Sequence, residues 1–348
     1  MWEIQPDWVA LKSFYVSINS KRYQISRNED NLSTQDPNIH LEQIGQRSFT
    51  ITAPEGQCSF IAPKKILKIH NNESINCVDI SPATNEILSG DRKGHLYLTF
   101  LGTEPVPIIG PSEDFDVEDC LFDPAHKLFF SCGGDFRIYE YSATEYEKTN
   151  QFVGHKSSVK HLEVVDNLLY SGGYDSNIIK WDIQTKKRIS TFSDNGQIND
   201  FCFTNTGILI SATENQLRGI DVKSGLPAPA PNMGRPGESV AVNSVATNGN
   251  DVVCGTQDGE VYVWDIRNTD TPAAMWKWYD SPINKVRYAN GKLWSASNDG
   301  TMASIDIREK KSFIILGTQA YAPVNDFAFN DTNVWTADGE GGLYNFDV

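Results

Sequence analysis

The sequence predicts an all-β chain: a seven-bladed β-propeller preceded by a small β-rich N-terminal module. Three observations predict it. First, one phrase opens seven units: Ile75-Asn-Cys-Val-Asp79, Val117-Glu-Asp-Cys120, Val159-Lys-His-Leu162, Ile198-Asn-Asp-Phe201, Val242-Asn-Ser-Val245, Ile283-Asn-Lys-Val286 and Val324-Asn-Asp-Phe327. Their first residues stand 42, 42, 39, 44, 41 and 41 positions apart, the spacing of propeller blades of roughly 40–45 residues. Second, each unit alternates short apolar runs with Gly, Asn and Asp turns, as half-buried antiparallel sheet requires. Third, one unit of this length cannot bury its own apolar faces, so the repeats imply a single closed ring.

The third unit is the clearest. Gly154-His155 precedes a strand beginning at Val159, and Asn167–Ser171 forms a second strand. A turn follows over 172–177, then strands at Ile178–Asp182 and Lys187–Phe192. This Gly-His…Trp-Asp pattern resembles the WD-repeat family. The resemblance implies that His155, Ser171, Asp175 and Trp181 hydrogen-bond one another inside the blade, as a buried structural tetrad and not a catalytic triad. The other units depart from the letters. Only the fifth repeats Trp-Asp, at Trp264-Asp265, and the one other Gly-His, Gly94-His95, does not stand ahead of a first strand. A turn acid recurs at Asp91, Asp135, Asp175, Asp258 and Asp299, with Asn215 in unit four and Asp338 or Glu340 in unit seven filling its place.

The chain as given ends just after the third strand of the seventh unit. The segment Lys64–His70 lies just ahead of the first unit and is expected to pair into the last blade and close the ring, which removes open sheet edges. The propeller thus runs over 61–348. Residues 1–60 are expected to form a separate module, since Trp2, Trp8, Phe14, Tyr15, Tyr23, Phe49 and Phe60 are too much apolar mass for a tail. Within it, 13–17 and 48–52 read as strands and 28–37 as a polar loop.

The formal net charge is −15, with −2 on residues 1–60 and −13 on the remainder. An acidic ring repels phosphate backbones, which argues against nucleic acid, and it attracts basic protein surfaces. No apolar run approaches the roughly 18 residues of a membrane span, and the N-terminus lacks a secretory signal pattern. The cysteines at 58, 77, 120, 132, 202 and 254 show no paired spacing. Buried free thiols are expected, with a Cys120–Cys132 disulfide as the minor alternative. A cytoplasmic location follows, with the nucleus also open, and a monomer.

No nucleophile elbow, phosphate-binding loop or zinc helix is present, so no catalytic residue, metal or cofactor is expected. Histidines 40, 70, 95, 126, 155 and 161 form no metal pair. The acidic run Glu113-Asp114, Asp116, Glu118-Asp119 reads as a solvated loop entering blade two, and lacks the spaced ligands and internal Gly of a calcium loop. The loops between blades and the turns between second and third strands share one face, where binding residues concentrate. That face is expected to carry partner-binding carboxylates at Glu73, Asp91, Asp114, Asp116, Asp135, Asp194, Glu214, Glu238, Asp280 and Glu340, with Arg92 and Lys156 as basic exceptions.

Certain stretches carry a narrower resemblance: Ile4-Gln-Pro-Asp-Trp8, Phe49-Thr-Ile51, Phe60-Ile-Ala-Pro63, Ile69-His70 with Ser74–Ser81, and Gly255–Gly259 with Tyr262 and Asp265-Ile-Arg267. These islands are similar to the proteasomal ATPase-associated factor family. The resemblance implies a non-enzymatic assembly chaperone. Such a protein binds the C-terminal domain of an ATPase subunit of the proteasome regulatory particle and limits premature docking on the core particle. The alternatives are a scaffold or substrate-receptor propeller, for example in a ubiquitin ligase, and a propeller enzyme with convergent polar groups in its channel.

Overall fold

The computed structural model describes the whole chain except residues 1, 6–7, 29–30, 46, 82, 111–113, 124, 126, 215, 234–239, 290, 308–311, 318–321, 331 and 348. Its regular elements are all strands. Seven sheets are built in chain order around a central channel, and their first strands are Ile75–Ile80, Val117–Phe122, Val159–Val165, Ile198–Phe203, Val242–Asn248, Ile283–Ala289 and Val324–Phe329. Each first strand packs against those of the blades on either side, and the seventh packs against the first, so the ring is closed.

The repeated phrase is a packing rule. Its first residue is fully buried in every blade: Ile75, Val117, Val159, Ile198, Val242, Ile283 and Val324 are all 0% exposed. Its fourth residue is buried as well, and its second residue lines the channel in all seven blades. The first residue of a blade also fixes its neighbour. A Cβ on Gly90 would lie 2.4 Å from Val117, and one on Gly255 would lie 2.4 Å from Ile283. These two positions need glycine because the next blade's β-branched side chain already fills the space.

The seventh blade draws its fourth strand from ahead of the first. Lys65–Lys68 pairs antiparallel with Gly342–Asp347, with Tyr344 opposite Ile66. The N-terminal residues form two further pieces. Trp2–Ile4, Ser13–Ile18, Lys21–Asn28 and Asn31–Thr34 make a four-stranded sheet. Part of the stretch read as a polar loop is therefore a strand: Asn31–Thr34 pairs with Lys21–Asn28, and Leu32 packs on the core. One apolar residue in a polar run is too little to reveal a strand by pattern alone.

The second piece is a three-stranded extension, His40–Gln43, Phe49–Ala53 and Gly56–Ile61. It joins the outer strand of blade six, Ser312–Gly317, in parallel, with Phe60 opposite Ile315. Trp8, Phe14, Phe49 and Phe60 pack ring on ring in one cluster with Val261, Ile283 and Ile315. The N-terminal residues thus lie against blades five and six and share their core.

Candidate functional site

The channel wall is built by the phrase. Its second residue is asparagine in five blades, and each carboxamide donates to the backbone of the next blade. Asn76 bonds Val117 O at 3.0 Å, Asn199 bonds Val242 O at 2.9 Å and Asn243 bonds Ile283 O at 2.9 Å. Asn284 bonds Val324 O at 2.9 Å, and Asn325 bonds Ile75 O at 2.8 Å, joining last blade to first. In blades two and three the position holds Glu118 and Lys160, which pair with each other.

The third residue makes a second ring of staples. Asp119 accepts from Leu162 N at 2.8 Å, Asp200 from Val245 N at 3.1 Å and Asp326 from Val78 N at 3.0 Å. The Ser244 hydroxyl accepts from Val286 N at 3.1 Å. Basic side chains bridge these acids. His161 lies 2.7 Å from Asp119 and 3.2 Å from Asp200, Lys285 lies 3.3 Å from Asp200, and Arg287 lies 3.0 Å from Asp326. Burial opposes ionisation of Asp200, but Lys285 and His161 outweigh it and hold the carboxyl below its ordinary range.

The acidic run of blade two is therefore not one solvated loop. Glu118 and Asp119 lie on the first strand and face the channel, because the strand begins at Val117. Toward the far end of the channel, Glu163 has no such partner for its Oε2. Burial pushes its carboxyl up to about 7, and burial pushes Asp79 up to about 6. The channel holds cavities of about 370 and 290 Å³. Its acids and bases are largely committed to one another across blade boundaries, an arrangement that fastens a ring.

Within the blades a hydroxyl network recurs with changing partners. In blade three, His155 Nδ1 donates to Asp175 at 3.0 Å. Its Nε2 accepts from Ser171 Oγ at 2.8 Å, and that oxygen accepts from Trp181 Nε1 at 2.8 Å. The acceptor on Nδ1 fixes the tautomer. Blade one repeats the core of this set: His70 lies 2.8 Å from both Asp91 and Ser89. Blade four places Asp194 where the histidine stands, 2.7 Å from Ser211 and 3.2 Å from Arg218. Blade six places Tyr279 there, 2.8 Å from Ser295. The sequence signal was spacing: Asp194 and Tyr279 precede their first strands by the same interval as His155, and His70 by one residue more.

This network corrects two expected docking residues. Asp91 is fully buried and engaged by His70 and His95, and Asp194 is 9% exposed and engaged by Ser211 and Arg218. Their carboxylates serve the blade interior: Asp91 holds His70, which in turn reaches Ser89, and Asp194 accepts from Ser211 directly. Glu238 lies outside the described residues. Of the others, Asp114, Glu214, Asp280 and Glu340 are exposed, and Glu73, Asp116 and Asp135 are half-buried. Asp135 accepts from Tyr139 Oη at 2.6 Å.

The two loop sets do share a face. Arg92 N bonds Ser74 O, Gly134 N bonds Asp116 O, Tyr174 N bonds Ser158 O, and Gly339 N bonds Pro323 O. Each bond ties a second-to-third-strand turn to the loop entering its own blade. Asp338 is the turn acid of blade seven, capping Glu340 N and Gly342 N. The six cysteines are all free and buried, Cys120 and Cys132 included.

Blades of four antiparallel strands, closed in a ring and carrying the His–Ser–Asp–Trp network, define a WD-repeat β-propeller. A WD domain, G-beta repeat model matches residues 62–98. The model described as Nucleolar protein 10-like, N-terminal domain, a β-propeller, matches residues 158–339, just over half of the chain, and the chain belongs to that WD-repeat propeller family. Among curated proteins, it is 30% identical to "Probable proteasomal ATPase-associated factor 1" of Dictyostelium discoideum over 138 residues, 33% of this chain and 32% of that protein. It is 24% identical to a "Guanine nucleotide-binding protein subunit beta" of Zea mays over 84% of this chain and 69% of that one. It is 21% identical to "E3 ubiquitin-protein ligase COP1" of Pisum sativum over 56% of this chain and 31% of that one. WD-repeat propellers are generally non-catalytic scaffolds that bind partners.

Proposed function

We propose that this chain is a non-catalytic assembly chaperone. It binds the C-terminal domain of a proteasome regulatory-particle ATPase subunit while the base assembles, and limits premature docking on the core particle. The observation that carries the reading is the 30% identity to a protein named as a proteasomal ATPase-associated factor. The physical support is a loop face on which Glu73, Asp114, Asp116, Asp135, Glu214, Asp280 and Glu340 remain at or near the surface. Such a field attracts a basic domain and accelerates encounter. The opposing surface charges on that face include Arg92 and Lys156.

A second reading is a scaffold or substrate receptor of a ubiquitin ligase, favoured by matches to COP1 and to an F-box/WD-40 repeat-containing protein of Arabidopsis thaliana. A pull-down from lysate with mass spectrometry separates the two. Regulatory-particle ATPases recovered without the core particle support the first reading. Cullin adaptors in their place overturn it in favour of the second.

A further inference from the structure

A cleft of about 390 Å³ lies where the N-terminal sheet meets blades five and six. Its lining divides into walls and a floor. Trp2, Glu3 and Ile4 line it consecutively, and so do Met275, Trp276, Lys277 and Trp278. A strand touches a cavity with consecutive residues only along its edge, because its side chains alternate between faces. The floor is different. Thr301 with Ala303, and Phe313 with Ile315, line it at alternate positions, so the floor is one face of the outer strands of blade six.

Both walls are open edges. Trp2–Ile4 is the end strand of its sheet and Ala274–Lys277 is the end strand of blade five. Among the described residues, neither outer edge pairs with another strand. Unpaired backbone donors and acceptors of this kind are a template for one more strand. The side chains around them are apolar. Trp276 and Trp278 stack at 5.9 Å, Trp278 meets Phe313 edge-on at 6.5 Å, and Met275 is 52% exposed. The charges at the mouth are acidic in excess. Glu3 is exposed and Asp299 lines the cleft, whereas the charge of Lys277 is offset by Asp280 at 3.6 Å.

We propose that this cleft is a second docking site, on the rim of the propeller, for an extended segment of a partner protein that alternates apolar with basic residues. The segment adds a strand to one of the two open edges. Its apolar side chains rest on Trp276, Trp278 and Phe313, and its basic side chains face Glu3. The site is lined by none of the loop-face carboxylates and does not depend on the ATPase reading.

The test uses the full chain and a short fluorescein-labelled peptide alternating arginine with leucine and phenylalanine, read by fluorescence anisotropy. Two control peptides replace arginine by glutamate, or carry N-methyl groups on alternate backbone nitrogens. Binding of the basic peptide, with about tenfold loss on N-methylation and on charge reversal, is expected from the loss of strand pairing and of complementarity. Met275→Lys and Glu3→Lys should each weaken it severalfold at unchanged melting temperature, since both side chains are exposed. The proposal is overturned by no binding of the basic peptide, by equal binding of the N-methylated or acidic peptide, or by indifference to Met275→Lys. It is overturned equally if sedimentation shows the cleft occupied by a second copy of this chain.

Discussion

Blades three and five carry the same Trp-Asp letters, yet only one of them carries the chemistry. In blade three the Trp181 indole donates to Ser171, which in turn serves His155 and Asp175. In blade five Cys254 holds the position of Ser171, and Trp264 Nε1 has no acceptor. Trp264 instead stacks on Tyr262 at 5.4 Å. Blade five is nonetheless as well buried as blade three, with Val242, Val252, Cys254, Val261 and Trp264 all at 0% exposure. The comparison teaches that the tetrad is optional within a blade. What every blade shares is the stapled inner strand, together with a packed hydrophobic interior.

The largest effect should therefore come from the channel wall and not from a tetrad. Asp200 accepts from Val245 N and Ser244 Oγ and faces Lys285 and His161. Asp200→Ala strands a buried cation and a buried amide, at a cost of about 3–5 kcal/mol. Urea unfolding checks this, and a loss below that of any tetrad variant would reverse the ranking.

Next comes the tetrad itself. Ser171→Ala leaves His155 Nε2 and Trp181 Nε1 without a partner, and should cost about 2–3 kcal/mol. The mirror experiment is Cys254→Ser, which offers Trp264 the acceptor it lacks and should stabilise by about 1 kcal/mol. Destabilisation by Cys254→Ser would show that the blade-five indole is better served by its stacking than by a hydroxyl.

A smaller effect concerns the channel's unpaired acid. Burial raises the Glu163 carboxyl from 4.5 to about 7. The folded state then holds that proton more tightly than the unfolded chain does. Stability is lost as pH rises through the interval between those two values, and the penalty is complete above it. Glu163→Gln should thus stabilise by about 1–2 kcal/mol at pH 8, and the gain should fade toward pH 4.5. Melting curves at the two pH values decide it, and a gain that grows on acidification would refute the assignment.

The architecture was legible because the phrase repeats in sequence what repeats in space: a buried β-branched residue, a staple, a channel residue and a second buried residue. The ring-closing segment was legible for a related reason, since the seventh unit stops one strand short and Lys65–Lys68 supplies it. The candidate face was only partly legible. Sequence places Asp91 and Asp194 in the right loops, but it does not say which way a carboxylate turns. Each turns inward because partners wait there: His70 and His95 for Asp91, Ser211 and Arg218 for Asp194. His70 was hidden because it lacks the glycine before it, and Tyr279 because it shares no letter with His155. The cleft between Trp2 and Trp276 was not legible at all, since it joins residues more than 270 positions apart.

The proposal that this propeller docks a basic ATPase domain on its acidic loop face is tested most directly by binding. The purified chain would be measured against isolated C-terminal domains of the regulatory-particle ATPases by biolayer interferometry at low and high salt. The account predicts that one domain binds, that its association slows as salt rises, and that replacing Glu73, Asp116, Glu238 and Asp280 together by alanine slows association and flattens the salt dependence. Binding of no ATPase domain at low salt, or binding indifferent to both salt and those four replacements, would contradict it.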